Sequence, residues 1–207
     1  MGMTTWTTVL GGSPPPPSDM RELTIDAWLT LDEDDEGELV DGRLEEEEVP
    51  DSVHEAVVAW LVRVIGAWLG DHGWVFASEL KLVVAKRRGR KADVVVYLPG
   101  RNPEPRGGVR VAPDILIEVV TPTPRDERRD RVEKMSDYAA FGVRGYWLVD
   151  PTLGTLEVFE LGTDGRYVRA LGATDGRVEI PGAPGLSIDL DALWATLQRL
   201  GASPTKG

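Results

Sequence analysis

The chain has 207 residues, 42% of them hydrophobic, and a formal net charge of −12. This length suffices for one well-buried core and favours a single domain. The absence of cysteine excludes disulfides, thiolate metal sites and thiol nucleophiles. No apolar run approaches the roughly 20 residues that span a bilayer. We therefore expect a cytoplasmic protein without a membrane segment.

The first 20 residues contain the run Pro14–Pro17 and lack both the basic lead and the apolar centre of an export signal. We expect residues 1–20 to form a flexible N-terminal tail. Residues 21–200 are then predicted to form one domain, and residues 201–207 a short C-terminal tail.

The first predicted elements are two helices separated by a hairpin. Thr24 is a suitable cap for a short amphipathic helix. Glu38–Leu44 is typical of a hairpin, because its Asp-Gly pair favours the turn that suits antiparallel strands. Ser52–Glu55 matches a capping box, and apolar residues at helical spacing then continue to Gly70.

Three extended segments follow: Trp74–Val84, Ala92–Leu98 and Asp114–Val120. The last two are continuous apolar runs of the kind that are covered on both faces, so we expect the three segments to form the centre of a sheet.

A helix is predicted to begin at Thr123, with a proline in its first turn and Gly142 at its end. Its expected buried stripe is Val132, Met135 and Ala139. The remaining predicted elements are a strand, a hairpin and a closing helix, at Gly145–Asp150, Thr155–Glu160 with Arg166–Leu171, and Asp189–Leu200.

One acid, Glu118, stands in the middle of an apolar strand, where an ionised carboxylate needs a cation, a metal ion or a proton. Asp93 opens the preceding apolar strand, and the 25 residues between the two positions match two neighbouring strands and a connection. Two carboxylates on adjacent strands form the oxygen-rich kind of site that holds Mg²⁺.

The negative charge is local. Residues 19–55 contain 16 acidic and two basic residues, which leaves the rest of the chain slightly positive. Of the 23 basic residues, six lie between Lys81 and Lys91 and five between Arg125 and Lys134. Contact with a phosphate backbone and simple solvation of a loop and a helix face explain these clusters equally well.

Several segments together resemble the Uma-type branch of the PD-(D/E)XK nuclease superfamily, over roughly residues 21–195. The resemblance implies a restriction-endonuclease-like α/β fold, with a mixed central sheet flanked by helices and extra β-hairpins. It also implies a magnesium-dependent phosphodiesterase site. The matching segments are Glu38–Gly42, His54, the strand at Asp93, Pro113–Pro122, the series Asp130, Lys134 and Tyr138, and Gly142–Pro151.

By this resemblance, Asp93 and Glu118 take the positions of the two metal-binding acids. Val120 occupies the place where the superfamily pattern has a lysine. Lys134 is our candidate for the missing ammonium, on the helix that follows. An ordinary ion pair between Lys134 and Asp130, four residues apart, is the alternative.

Two further residues resemble parts of the family's site. Glu38 matches an additional acid, although a solvated hairpin charge is an equal alternative. His54 is placed to act as a proton carrier, or else faces solvent or a carboxylate. Asp114 follows a proline as in the superfamily's PD pair, but strand geometry puts it about 13 Å from Glu118, so we prefer Asp93.

The leading hypothesis is an endonuclease that uses Mg²⁺, with Mn²⁺ as a substitute, to hydrolyse DNA. The alternative is a catalytically silent module that binds nucleic acid or a protein. Two weaker possibilities are an acidic segment at Asp32–Glu48 that covers the basic clusters, and a homodimer formed through the Thr155–Leu171 hairpin. The residues expected to act in catalysis are Asp93, Glu118, Lys134 and Glu38, and those expected to contact DNA are Lys86, Arg87, Arg88, Arg90, Lys91, Arg125 and Arg128.

Overall fold

A computed structural model of the chain describes residues 22–31, 37–45, 49–77 and 80–201. The predicted N-terminal tail and nearly all of the predicted C-terminal tail lie outside these residues, as does much of the acidic segment between residues 32 and 48. The helices and strands are, in chain order, α1 (Ile25–Leu29), β1 (Glu38–Val40), β2 (Arg43–Glu45), α2 (Ser52–Leu69), β3 (Trp74–Ala77), β4 (Leu82–Ala85), β5 (Arg88–Arg90), β6 (Val94–Tyr97), β7 (Ile115–Val119), α3 (Pro124–Arg128), a π-helical segment (Arg129–Lys134), α4 (Met135–Phe141), β8 (Gly145–Asp150), β9 (Thr155–Leu161), β10 (Tyr167–Ala173), β11 (Arg177–Glu179), β12 (Ser187–Asp189) and α5 (Leu190–Gln198).

The central sheet has six strands in the order β10-β9-β8-β7-β6-β3. The pair β7–β8 is parallel and the other pairs are antiparallel, so the predicted mixed sheet is confirmed. A parallel pair needs a crossover connection, and here the chain from Pro124 to Phe141 supplies it.

The predicted three-strand centre is only partly right. Strands β6 and β7 are central, but the segment Trp74–Val84 divides between two sheets. Its first part, β3, is an edge of the six-stranded sheet, while β4 belongs to a four-stranded sheet ordered β2-β1-β5-β4. The apolar pattern marked this segment as extended, but pairing with β5, which the sequence analysis missed, decides where its second half goes.

The predicted hairpin around Asp41 and Gly42 is confirmed. Both residues have positive φ angles, 50° and 82°, as a turn with the right twist for antiparallel strands requires. Strand β1 then pairs with β5, so the hairpin is anchored on the basic segment of the chain.

Helix α2 has a different cap from the predicted one. Asp51, not Ser52, is the N-cap, and its carboxylate accepts hydrogen bonds from the backbone N–H groups of Val53 and His54 at 2.9 and 2.8 Å. By length and composition alone α2 is apolar enough to cross a membrane. In the fold its apolar face packs against the central sheet as a core helix, through Val57, Val58, Trp60, Leu61, Ile65 and Leu69.

The helix after β7 confirms its predicted ends, but its predicted buried stripe is wrong at Val132, whereas Met135 packs against the second core. Thr123 caps it, and Gly142 ends it with a φ of 91°. Val132, however, is 61% exposed. The inward face of this π-helical segment instead carries Asp130 and Lys134, so buried ion pairs replace apolar contacts there. The π-helical turn is wider than an α-helical turn, which changes the residues that face inwards.

The central sheet separates two cores. Helices α2 and α5 cover one face, together with Ile115, Ile117 and Val119 of β7. The other face packs on a second core with Leu116 and Val120. Because side chains alternate along a strand, Glu118 points towards this second core, underneath the π-helical segment and α4.

Replacing Gly89 with alanine is expected to destabilise the fold by about 1–3 kcal/mol, because the core would have to shift to admit the new atom. An added Cβ would lie 2.2 Å from the buried ring of Trp28. Urea-induced unfolding measures the loss. Gly172→Ala is the matched control: its nearest neighbour atoms are 3.8 Å away, so we expect its stability to be unchanged or slightly higher. Equal losses would contradict the contact between α1 and β5.

Candidate active site

Glu118 is held by two side chains of the helix that crosses above it. The residue is 2% exposed. The hydroxyl of Tyr138 donates a hydrogen bond to its Oε1 at 2.8 Å, and Nζ of Lys134 donates one to its Oε2 at 3.0 Å. Because Lys134 and Tyr138 are four residues apart, they occupy one face of that helix and reach the same carboxylate.

Lys134 lies among three carboxylates and is itself buried. Its Nζ is 3.0 Å from Glu118, 3.4 Å from Oε1 of Glu38 and 3.9 Å from Oδ1 of Asp130. It also donates a hydrogen bond to the backbone carbonyl of Lys91 at 3.0 Å. Lys134 thus contacts both Glu118 and Asp130, and the contact with Glu118 is the shorter one.

Asp93 stands beside Glu118 at the end of the neighbouring strand. The register pairs Val94 with Ile117, and its continuation by one residue places Asp93 opposite Glu118. Oδ2 of Asp93 accepts a hydrogen bond from the backbone N–H of Val119 at 2.6 Å. The structure thus brings the two acids together on adjacent strands, with 21% of the Asp93 side chain exposed.

His54 turns towards Asp93 from the first turn of α2. Its Nε2 lies 3.2 Å from Oδ1 of Asp93. Its Nδ1 is buried and has no hydrogen-bond partner among the described residues. The contact is with a carboxylate of the site, which was one of the alternatives open from the sequence.

Glu38 is buried and is not a solvated hairpin charge. Its Oε2 pairs with Arg90 at 2.6 Å, and its Oε1 accepts a hydrogen bond from the backbone N–H of Lys91 at 2.9 Å. Arg90 also pairs with Asp137 at 2.7 Å. The hairpin, β5 and α4 are therefore joined through one buried guanidinium.

The surroundings of Glu118 favour its protonated form. Burial raises its pKa well above the ordinary value, and the charges of Asp93, Asp130 and Glu38 act in the same direction, while Lys134 opposes them. Burial likewise raises the pKa of Asp130. Four acids lie close together here, namely Asp93, Glu118, Asp130 and Glu38, so the binding of a further cation would be electrostatically favourable.

Glu38 responds in the opposite direction. Burial alone would raise its pKa, but Lys134, Arg90 and the backbone N–H of Lys91 outweigh burial and lower it. The two acids around Lys134 therefore differ, because the pKa of Glu38 is lowered and the pKa of Glu118 is raised.

The carboxylates of this site suit a Mg²⁺ or Mn²⁺ ion that keeps several of its water ligands better than an ion that is bound by protein atoms alone. Within the part of the chain that the structure describes, no three His, Asp or Glu side chains form a group that could hold a metal ion. Mg²⁺, however, usually keeps several waters and takes one or two carboxylates from the protein. Asp93 and Glu118 provide two, and each carboxylate has more acceptor positions than the contacts above use.

The first basic cluster is largely paired with acids. Arg87 lies 2.8 Å from Glu22, and Arg88 pairs with both Asp41, at 3.1 Å, and Asp137. Of these pairs, the one between Arg88 and Asp41 connects the acidic hairpin to β5. To this extent the acidic segment covers the cluster, although residues 32–36 and 46–48 lie outside the described residues.

The expectation that Arg90 and Lys91 contact DNA needs correction. Both residues are buried, and Arg90 neutralises Glu38 and Asp137 inside the fold. The backbone carbonyl of Lys91 accepts hydrogen bonds from Lys134 and Tyr138 of the helix. Lys86 is exposed at the adjacent turn.

The second basic cluster presents charges at the surface. Arg125 and Arg128 are exposed on α3. With Arg129 they line a cavity of about 670 Å³, which Leu44 and Glu45 of the hairpin close on the other side. These two residues therefore stay as expected contacts to a phosphate backbone.

Asp114 lies at the opposite end of β7 and takes no part in this cluster. It accepts a hydrogen bond from the backbone N–H of Leu98 at 2.8 Å and pairs with Arg101 and Arg144. Its role is to hold the loops at the start of the strand.

The sequence analysis assigned Tyr138 no role of its own at the site and gave Arg90 only as a DNA contact. The position of Tyr138 four residues after Lys134 is the signal that both side chains reach one site. No local signal marks Arg90, since its partners Glu38 and Asp137 are 52 and 47 residues away in the chain.

Two comparisons with known proteins give matches to the chain. The family model described as "Uma2: Putative restriction endonuclease" matches residues 23–191 of the chain. A crystal structure described as a "putative nuclease belonging to DUF820" from Anabaena variabilis ATCC 29413 has a TM-score of 0.67 and 22% sequence identity, covering 84% of this chain and 99% of that one. At this identity the likeness shows a common fold. No curated protein matches the chain.

Lys134→Met is expected to destabilise the protein by about 3–5 kcal/mol, because it leaves Glu118 and Glu38 buried without their ammonium partner. The double variant Lys134→Met/Glu118→Gln should recover part of this loss, since glutamine carries no charge and still accepts the Tyr138 hydrogen bond. Urea unfolding measures both. Arg128→Met, which removes an exposed pair with Glu133, serves as the control and should cost less than about 1 kcal/mol. Equal costs for Lys134→Met and the control would contradict the buried network.

The contact between His54 and Asp93 should make stability depend on pH. Burial alone lowers the pKa of His54, but the hydrogen bond and charge of Asp93, with Glu55 and Asp51 nearby, raise it above its ordinary value. Protonated His54 thus stabilises the folded state at pH values below its unfolded pKa, and this contribution disappears as the pH rises through the folded pKa.

His54→Gln should therefore cost more stability at about pH 5.5 than at about pH 8.5, measured by thermal unfolding in EDTA. His72→Gln, an exposed turn position, is the control and should show no such difference. A His54→Gln cost that is the same at both pH values would exclude the ionic contact.

Proposed function

The chain belongs to the Uma2 family, described as putative restriction endonucleases, and on this premise we propose that it is a magnesium-dependent endonuclease that hydrolyses phosphodiester bonds in DNA. The family supports a nuclease that acts on nucleic acid. The dependence on Mg²⁺, with Mn²⁺ as a substitute, and the choice of DNA are our additions.

The observation that carries the proposal is the position of one ammonium beside two strand-borne acids. Nζ of Lys134 is 3.0 Å from Glu118, and Asp93 stands opposite Glu118 on the next strand. Burying these charges together costs stability, since well-packed apolar residues in their place often give a protein that is equally or more stable. Ionisable groups with shifted pKa values are concentrated at functional sites.

Asp93 and Glu118 are the residues that would hold the cation. When bound, the cation would lower the pKa of a water molecule and neutralise charge on the phosphate. A bound cation would oppose the burial that raises the pKa of Glu118, and so would favour its ionised form.

Lys134 supplies the positive charge that the missing strand lysine would have supplied. Its ammonium is suited to orient the attacking water or to stabilise negative charge that develops on the phosphate oxygens. Glu38 and Tyr138 keep this arrangement fixed, because Glu38 lies 3.4 Å from the same ammonium and Tyr138 holds the other oxygen of Glu118.

One observation favours the alternative of a catalytically silent module. Both oxygens of Glu118 and both oxygens of Asp93 already have partners within the protein. A polar network satisfied in this way stabilises a particular core arrangement without any ligand. Metal binding separates the two functions, because only the enzyme needs it.

A homodimer formed through the hairpin of β9 and β10 stays a prediction. Strand β10 is an edge of the central sheet, but its register shifts between Arg169 and Leu171. Bulges of this kind reduce regular pairing between edge strands.

Mg²⁺ or Mn²⁺ is expected to raise the melting temperature of the protein, because a ligand that binds only the folded state stabilises it. Asp93→Asn and Glu118→Gln should each abolish this rise and the cleavage of DNA. Asp164→Asn, on the exposed loop after β9, is the matched control and should retain both. A wild-type protein that shows neither the rise nor cleavage would support the silent module.

A further inference from the structure

The two acids that would hold the cation are positioned by different elements. Glu118 is held by Tyr138 and Lys134 of the crossover helix. Asp93 is held by α2 and by the backbone of β7. Its Oδ1 lies 3.2 Å from Nε2 of His54, and its Oδ2 accepts a hydrogen bond from the backbone N–H of Val119 at 2.6 Å. Helix α2 therefore reaches the site through one side chain.

The ring of His54 is itself held firmly. His54 lies in the first turn of α2, and its backbone N–H donates a hydrogen bond to the N-cap Asp51 at 2.8 Å. Only 16% of its side chain is exposed, and its Nδ1 is buried. The core helix that carries this ring is packed against the central sheet. The ring therefore presents Nε2 to Asp93 from a fixed position.

The contact leaves Asp93 able to bind a cation. Two carboxylate oxygens together offer about four acceptor positions. His54 takes one position on Oδ1 and Val119 takes one on Oδ2, so each oxygen keeps a position for an ion. Nε2 donates from the protonated ring and also from the neutral ring that carries its proton on Nε2, so the hydrogen bond does not require a charged histidine.

Asp93 needs such support more than Glu118 does. It precedes the first residue of β6, and 21% of its side chain is exposed, whereas Glu118 lies within β7 and is 2% exposed. A carboxylate that is free to rotate must be ordered when it binds a ligand, and this loss of freedom weakens binding. His54 removes that freedom in advance.

We propose that His54 is a positioning residue for the cation, which fixes the carboxylate of Asp93 so that Asp93 and Glu118 bind one ion together. The inference rests on the proposed nuclease function and adds α2 to the elements that build its site. His54 acts through Asp93 and is not itself a ligand, because its Nε2 is engaged with the carboxylate and Mg²⁺ prefers oxygen ligands.

Mn²⁺ binding, measured by electron paramagnetic resonance of the free ion, tests this role without DNA. Loss of a group that hydrogen-bonds to a metal ligand typically lowers metal affinity about 10–100-fold. We expect this loss for His54→Asn, whose amide is too short to reach Asp93, and for His54→Leu, which has no donor. His54→Gln carries its amide nitrogen one carbon further out and should keep most of the affinity.

A purely structural role predicts a different result. All the His54 variants would then melt at a lower temperature in EDTA, while the folded protein would bind Mn²⁺ as tightly as the wild type. Equal affinity of His54→Asn, His54→Gln and the wild type would overturn the proposal. So would electron spin echo modulation from a nitrogen bound directly to Mn²⁺ in the wild type, because His54 would then be a ligand.

Two control variants accompany these measurements. His72→Leu changes an exposed histidine beyond the other end of α2 and should leave the affinity unchanged. Leu61→Ala leaves a cavity under the middle of α2, so it should lower the melting temperature but keep the affinity of the folded protein. A loss of affinity as large as that of His54→Asn would assign the effect to the stability of α2 and overturn the positioning role.

Cleavage of DNA with Mn²⁺ distinguishes failure of this inference from failure of the proposed function. Cleavage by the wild type, together with a higher Mn²⁺ requirement for His54→Asn than for His54→Gln, supports both. Cleavage with equal Mn²⁺ requirements overturns the role of His54 while the nuclease stands. Weaker Mn²⁺ binding by His54→Asn without cleavage by the wild type supports the role of His54 and counts against the nuclease. A wild-type protein that binds no Mn²⁺ would overturn both.

Discussion

The burial of Lys134 among carboxylates is the constraint on which this structure depends. Its ammonium lies within 4 Å of acids from β1, β7 and its own helix. Removing an ammonium and carboxylates from water is unfavourable unless their charges and hydrogen bonds are matched, so each element must hold the position that keeps these contacts. Lys134 lies in the π-helical segment. Segments of this kind are frequent at functional sites.

A second buried charge, Arg90, fixes the parts of the fold that carry the site. It joins Glu38 of the hairpin to Asp137 of α4. Glu38 in turn contacts Lys134, so the hairpin, the strand and the helix form one network of charges. Three acids of the acidic stretch at residues 19–55, Glu22, Asp41 and Glu38, thus pair with arginines of the first basic cluster. Their opposite charges stabilise the fold before any nucleic acid is considered.

The functional argument follows from where this network meets solvent. Glu118 is enclosed, but Asp93 is partly exposed at the end of its strand beside His54. Arg125 and Arg128 line a separate cavity, on the same helical stretch that supplies Lys134. One crossover connection therefore provides the ammonium, the support for Glu118 and the surface on which we expect the phosphates to bind.

Local signals in the sequence determined much of this protein. The acid inside the apolar strand of Glu118, the spacing of Lys134 and Tyr138, the turn at Asp41 and the cap at Thr123 all predicted what the structure contains. Each depends on residues within a few positions of one another, where strand and helix periodicity act. Only the tertiary structure decided that Arg90 is buried, that Val132 is exposed and that Trp74–Val84 divides between two sheets. These outcomes depend on charges and strands that lie far apart in the chain, and only folding determines which of them meet.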